Sequence, residues 1–150
     1  MKLPSGVSLL MSFCFAFFST QTRSEEKPVF AGIVVQVDAL KTNKGLVICD
    51  LYDDDTGFPN EPQRALERVK VRPVGEKAVC VFPDVKAGRY AVAIWHDVNV
   101  DQKLNSNWVG VPTEPVGVSN NAKGKFGPPK FQDAAFEYKP PLNKLNVRLE

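Results

Sequence analysis

The stretch Asp97-Val-Asn-Val-Asp-Gln-Lys-Leu-Asn105 carries oxygen-bearing side chains at Asp97, Asn99, Asp101 and Asn105. The backbone carbonyl of Lys103 fills the gap in that alternation. Hard cations such as calcium take about six to eight oxygen ligands from carboxylates, amides and backbone carbonyls. Donors at every second position let one short loop wrap a single ion. The chemistry predicted here is calcium binding, and calcium is the one cofactor the sequence suggests.

This segment resembles a calcium loop of the dockerin or EF-hand kind, with two departures. The sixth loop position, normally glycine for a sharp turn, is Gln102, and the twelfth, normally a carboxylate, is Trp108. Glu114 offers a more distant carboxylate. The competing reading is an Asx-rich turn whose side chains bond its own backbone. The loop occurs once, so no cohesin-type partner is expected.

His96 is the only histidine, and it directly precedes Asp97. A carboxylate beside an imidazole can orient the ring as a general base. That makes a hydrolase using His96 and Asp97 one alternative. No Ser or Cys has a triad-like setting, however, so the sequence favours a structural His96 at the base of a loop. The chain is therefore expected not to be an enzyme. Zinc and copper sites draw on several His or Cys ligands, which this sequence does not supply. Asp53, Asp54 and Asp55 read as a solvated loop with one carboxylate capping a turn.

The calcium-like segment opens a long polar stretch, His96 to Phe136, rich in Asn, Gly and Pro. Ordering such a loop costs backbone entropy, which argues for a functional or ion-organised role. Its candidate ligand-binding residues are His96, Asn107, Trp108, Asn120, Asn121 and Lys123. Trp108, Phe126 and Phe131 add aromatic surface that either stacks on a ligand such as a sugar or pins the loop to a sheet. Pinning suits Phe131 and Phe136 better than Trp108. No Walker motif or dinucleotide fingerprint is present.

The amino terminus predicts export. Lys2 is followed by the apolar run Val7 to Phe18, then by small and polar residues up to Ser24. This is the layout of a signal peptide over residues 1–24, cut near Ser24-Glu25, and the run is too short for a membrane span. Phe13 before Cys14 argues against lipidation. Of 19 Lys+Arg against 17 Asp+Glu, Lys2 and Arg23 fall in the leader, so residues 25–150 are formally neutral. No global field draws in nucleic acid or acidic lipid. The expected product is periplasmic or secreted and monomeric, with an unknown envelope or extracellular ligand and no membrane span after leader removal.

Export also sets the cysteine chemistry. Of three cysteines, Cys49 and Cys80 remain in the mature chain. In an oxidising compartment they either form a disulfide or stay apart as two small buried hydrophobes.

The elements that must carry these residues are short strands. Val29–Val37, Leu46–Tyr52, Val69–Arg72, Ala78–Phe82, Gly88–Trp95 and Leu145–Leu149 are β-rich runs separated by Gly, Pro and Asn, with Phe136–Tyr138 as a further candidate. Glu61–Arg68, with Pro62 in its first turn, predicts a short helix. The fold class is all-β: an antiparallel sandwich of residues 25–150 with one short helix and a long ordered loop. In the strand after Gly88, Tyr90, Val92 and Ile94 should share one face, and Ala91, Ala93 and Trp95 the other. This hairpin resembles those of transthyretin-like and collagen-adhesin B-type sandwiches, and the expected class is an immunoglobulin-like or transthyretin-like β-sandwich.

The whole mature chain resembles the bacterial exported proteins of the domain of unknown function 2141 family. The match rests on Leu51-Tyr-Asp53, Gly57-Phe-Pro59, Ala65-Leu66 and Gly88-Arg-Tyr90. It is strongest in His96-Asp-Val-Asn99, Lys103-Leu104, Asn107, Gly110-Val-Pro112, Glu114 and Gly117 to Ala122, and closes with Gly127-Pro-Pro129, Phe131 and Ala135-Phe136. The resemblance implies a small exported β-sandwich and implies no reaction. The expected function is a non-catalytic binding or structural module of the cell envelope or extracellular space. The alternative is a small-ligand or carbohydrate binder.

Overall fold

The computed structural model describes residues 31–150. The expected leader, its cleavage point and the start of the first strand at Val29 lie outside the described residues. The strands are β1 (Gly32–Asp38), β2 (Leu46–Tyr52), β3 (Glu67–Val71), β4 (Ala78–Pro83), β5 (Gly88–Asp97), β6 (Val116–Val118), β7 (Phe136–Tyr138) and β8 (Leu142–Arg148). One sheet runs β4-β1-β8 and the other β3-β2-β5-β6, with β7 pairing the start of β5. The two sheets stack face to face as an all-β sandwich.

The pairing is antiparallel with one exception. β1 and β8 run parallel, in the register Val35↔Leu145. Hairpins force antiparallel neighbours, but β1 and β8 stand at opposite ends of the described chain and nearly the whole domain connects them. That long connection frees them to pair in parallel.

The expected Glu61–Arg68 helix does not form. A single 3-10 turn spans Pro62–Arg64, and the chain is already strand β3 at Glu67. Leu66 is 56% exposed, so the segment's largest apolar residue gives a helix no buried anchor. The Leu66 N–H instead donates to the Leu51 carbonyl at 2.7 Å. Arg68 donates two hydrogen bonds, of 2.6 and 2.8 Å, to the carboxylate of Asp50, its cross-strand partner. Tertiary pairing overrides a weak local propensity.

β5 alternates as its sequence predicts. Tyr90, Val92 and Ile94 face inward with Val35, Leu51, Phe82, Tyr138 and Val147 between the sheets. Cys49 of β2 and Cys80 of β4 are joined there by a disulfide, with Cα atoms 6.5 Å apart. Ala91 and Ala93 face outward into a second cluster with Tyr52, Val118, Phe131 and Ala134. The sheet is thus covered on both sides, which is why Arg89 to Trp95 reads as a continuous buried strand.

The outer cover is the long polar stretch itself, folded back on the sheet. It supplies β6, a turn at Ser119–Asn121 and the single helical turn α1 (Phe131–Ala134). Ser119 rivets it down: its Oγ accepts from the Val92 N–H at 2.9 Å and donates to the Ala134 carbonyl at 2.6 Å. Phe58 stacks edge-on between Tyr52 and Phe131, with ring centroids 5.3 and 5.8 Å apart.

Candidate functional site

The end of β5 places His96 and Asp97 on opposite faces, as successive strand residues must be. His96 is fully buried on the inner side, and its Nε2 lies 2.7 Å from the Lys44 carbonyl. A carbonyl only accepts, so Nε2 carries the hydrogen. The expectation that His96 touches a ligand is corrected by this burial. Asp97 cannot orient the imidazole either, so the two do not form a dyad.

Asp97 is also fully buried, at the base of the outer loop. The turn before β2 closes tightly over it. A Cβ on Gly45, whose φ is +78°, would lie 2.0 Å from the Asp97 carbonyl oxygen. Only glycine permits that approach and that backbone angle.

The loop folds around its own oxygens. Asp97 Oδ2 accepts from the Gln102 N–H at 2.9 Å, Asn99 Oδ1 from Asp101 N–H at 3.2 Å, and Asp101 Oδ1 from Lys103 N–H at 2.8 Å. The side-chain amides of Asn99 and Asn105 both donate to Asp101 Oδ2, at 3.0 and 3.1 Å. The Lys103 N–H, followed by the Asn105 amide, holds the Asp101 carboxyl below the usual carboxylate range. Glu114 clamps both ends, accepting from Val98 N–H through Oε1 and from Asn105 N–H through Oε2, each at 3.1 Å. Asn99, Asp101, Lys103 and Asn105 are thus joined to one another by hydrogen bonds, while Asp97 holds Gln102. Among the described residues no three His, Cys, Asp or Glu side chains converge as a metal cluster.

Asp53, Asp54 and Asp55 do not join this set. They follow Tyr52, which pairs with Ala91, whereas Asp97 pairs with Leu46 at the other end of β2. Six residues of strand separate the two, about 20 Å at roughly 3.3 Å per residue. Asp54 caps its own turn, accepting from Thr56 N–H at 2.7 Å.

Beyond the loop lies a groove of about 750 Å³ on the outer face of the sheet. Its floor is Ala93 and Trp95 of β5 with Val116 and Val118 of β6. Leu104, Ser106 and Gly110–Pro112 line it from one segment, and Ala122–Gly124 with Gly127–Pro129 from another. Small-ligand sites typically enclose about 300–1,000 Å³, with an apolar floor and a few polar groups. Its polar groups include Asn60, Ser106, Asn121, Lys123, Arg148 and Glu150, with Lys123 Nζ paired to Glu150 Oε1 at 2.7 Å. Trp108 and Phe126, one in each lining segment, are 95% and 104% exposed.

The expected ligand residues divide. Asn121 and Lys123 line the groove, although Asn121 also accepts from Arg148 N–H at 2.8 Å. Asn107 and Asn120, both exposed and outside the groove's lining, each commit one amide atom to the fold. Asn107 Oδ1 accepts from Val109 and Val111 N–H, and Asn120 Nδ2 donates to the Asp133 and Ala135 carbonyls. Trp95 and the β6 valines were not anticipated as lining. Their signal was present: Ala91 and Ala93 beside Trp95 leave space over the sheet.

Among the described residues no helix is long and apolar enough to cross a membrane. No curated protein and no solved structure matches the chain. Residues 35–145 match the family model described as "Uncharacterized protein conserved in bacteria", domain of unknown function 2141, and the chain belongs to that bacterial family.

Proposed function

We propose that the protein is an exported, non-catalytic binding module of the cell envelope or extracellular space. It works as a monomer and holds its ligand in the outer groove, and calcium organises the loop beside it. The groove carries this reading: an apolar floor of Ala93, Trp95, Val116 and Val118 between two Gly/Pro-containing segments. Apolar floors with a few convergent polar groups are how small ligands are desolvated and oriented. His96 and Asp97, on opposite faces and both buried, give no support to a hydrolase.

A carbohydrate ligand is the second reading. It is favoured by Trp108 and Phe126, which stand in solvent within the two segments that also supply the groove's walls. Aromatic planes beside amides suit the faces and hydroxyls of sugars.

Both readings are tested by titrating the isotope-labelled protein with soluble oligosaccharides and short peptides while recording amide shifts. Perturbations should cluster at Ala93, Trp95 and Val116–Val118, and Val116→Arg should abolish them without unfolding the domain. Shifts that map elsewhere, or survive Val116→Arg, would remove the groove as the site.

A further inference from the structure

We infer that the Asp97–Asn105 loop is a calcium site, ligated by Asp97 Oδ1, Asn99, Asp101, the Lys103 carbonyl and Asn105. The central observation is an orphaned atom. Asp97 is 0% exposed, and its Oδ1 has no hydrogen-bond partner among the described residues. The other oxygen of the same carboxylate accepts from Gln102 within the loop, so the group faces the loop interior. A buried carboxylate oxygen without a partner is costly, and folded proteins resolve that cost with a donor, a water or a cation.

Among the described residues no Lys or Arg side chain fills the role. Among the described residues the ion pairs of Lys and Arg go to Asp38, Asp50, Glu61 and Glu150, and none reaches Asp97, Asp101 or Glu114. Two carboxylates of the loop, Asp97 and Asp101, thus alternate with the amide of Asn99 and the backbone carbonyl of Lys103 along the chain. That set is hard, oxygen-only and of moderate charge, the chemistry of calcium. The amide nitrogens of Asn99 and Asn105 now sit among these oxygens as donors. Rotating either amide replaces a donor with a ligand oxygen.

The two departures from the usual loop are accommodated. Gln102 stands where glycine is usual and adopts φ +63°, the left-handed conformation that position requires. Trp108 leaves the last carboxylate position empty of charge, and Glu114 takes over the closing role by bonding both ends of the loop. Glu114 is a positioning residue in this scheme.

The consequence reaches the groove. Leu104 belongs to the loop and lines the groove, so bound calcium would fix part of its wall. The ion site stands on its own donors, and its failure would leave the groove reading to be judged separately.

The experiment is calorimetric titration of EDTA-stripped protein with calcium chloride, paired with thermal melts. One calcium per chain is expected, with a Kd of about 10⁻⁴–10⁻³ M as in extracellular modules. The melting temperature should rise by a few degrees in 10 mM calcium, to about the extent ligand linkage predicts. Asp101→Ala, at an exposed position, should fold normally and lose the response, and Asp97→Asn should weaken binding at least tenfold. Absence of both heat and melting shift, or a response that Asp101→Ala leaves intact, would overturn the site.

Discussion

The two faces of β5 are built for different work. Inward, Tyr90, Val92 and Ile94 meet a dry apolar layer crossed by the Cys49–Cys80 disulfide. Outward, Ala91, Ala93 and Trp95 meet small residues, a groove and a loop that keeps a carboxylate oxygen without a partner. One strand thus separates a layer optimised for stability from one that retains polar groups and space. The lesson is that burial alone does not mark the core. Residues on both faces are buried, but only the outer face carries charge, open volume and exposed aromatics.

The inner layer should break hardest. The disulfide joins the two sheets across a separation of 31 residues. Closing a loop of that size is worth about 3–4 kcal/mol through the unfolded chain's lost entropy. Cys49→Ser should lower the urea midpoint by an amount equivalent to that loss. The outer face should keep its calcium response below the new transition, since none of its ligands touches the bridge. A Cys49→Ser protein as stable as the parent would show that the bridge contributes little to the inner layer.

The outer layer has its own anchor, the Asp50–Arg68 pair. Asp50 is 2% exposed and points outward, beside Tyr52. Burial, then the Asp50 charge, pushes the Tyr52 hydroxyl up to about 12, so it stays neutral there. Asp50 holds Arg68 above the ordinary guanidinium value, chiefly through its hydrogen bonds. Arg68→Ala strands a buried carboxylate and should cost about 3 kcal/mol, whereas Arg68→Met combined with Asp50→Leu should recover most of it. Chemical denaturation of both variants separates a stranded charge from lost packing. Equal destabilisation would assign the role of Arg68 to its aliphatic stem.

What the sequence made legible follows the same division. The inner layer was readable because β-branched alternation in Leu46–Tyr52 and Gly88–Trp95 is a local signal with a period of two. The Asx turns of Asp97 to Asn105 were readable for a similar reason, since Asn99 and Asp101 each accept from the backbone N–H two residues on. The failures were tertiary. Glu61–Arg68 looks helical until Asp50 is seen to demand Arg68 across the strand. The parallel pairing of β1 with β8 depends on segments from opposite ends of the domain. Asn107 and Asn120 looked available because their carbonyl and N–H partners lie in backbone whose path no local pattern fixes. The groove was hidden because its floor and walls come from distant segments.

The smallest expected effect tests whether the outer layer stores strain. Gln102 holds φ +63° in the loop, a conformation that opposes its Cβ to the following carbonyl. The left-handed region costs a non-glycine residue about 1–2 kcal/mol, a cost glycine largely avoids. Against that, Gln102→Gly gives up the 2.8 Å hydrogen bond from Lys70 Nζ to its Oε1. That contact is exposed and held by two flexible chains, so it contributes little. Glycine also frees the unfolded chain, which takes back part of the gain. The net expectation is stabilisation of about 0.5 kcal/mol, read as a higher urea midpoint, together with tighter calcium binding because the loop needs less adjustment. A lower midpoint would mean that the Lys70 contact, not relief of strain, sets the loop's position against β3.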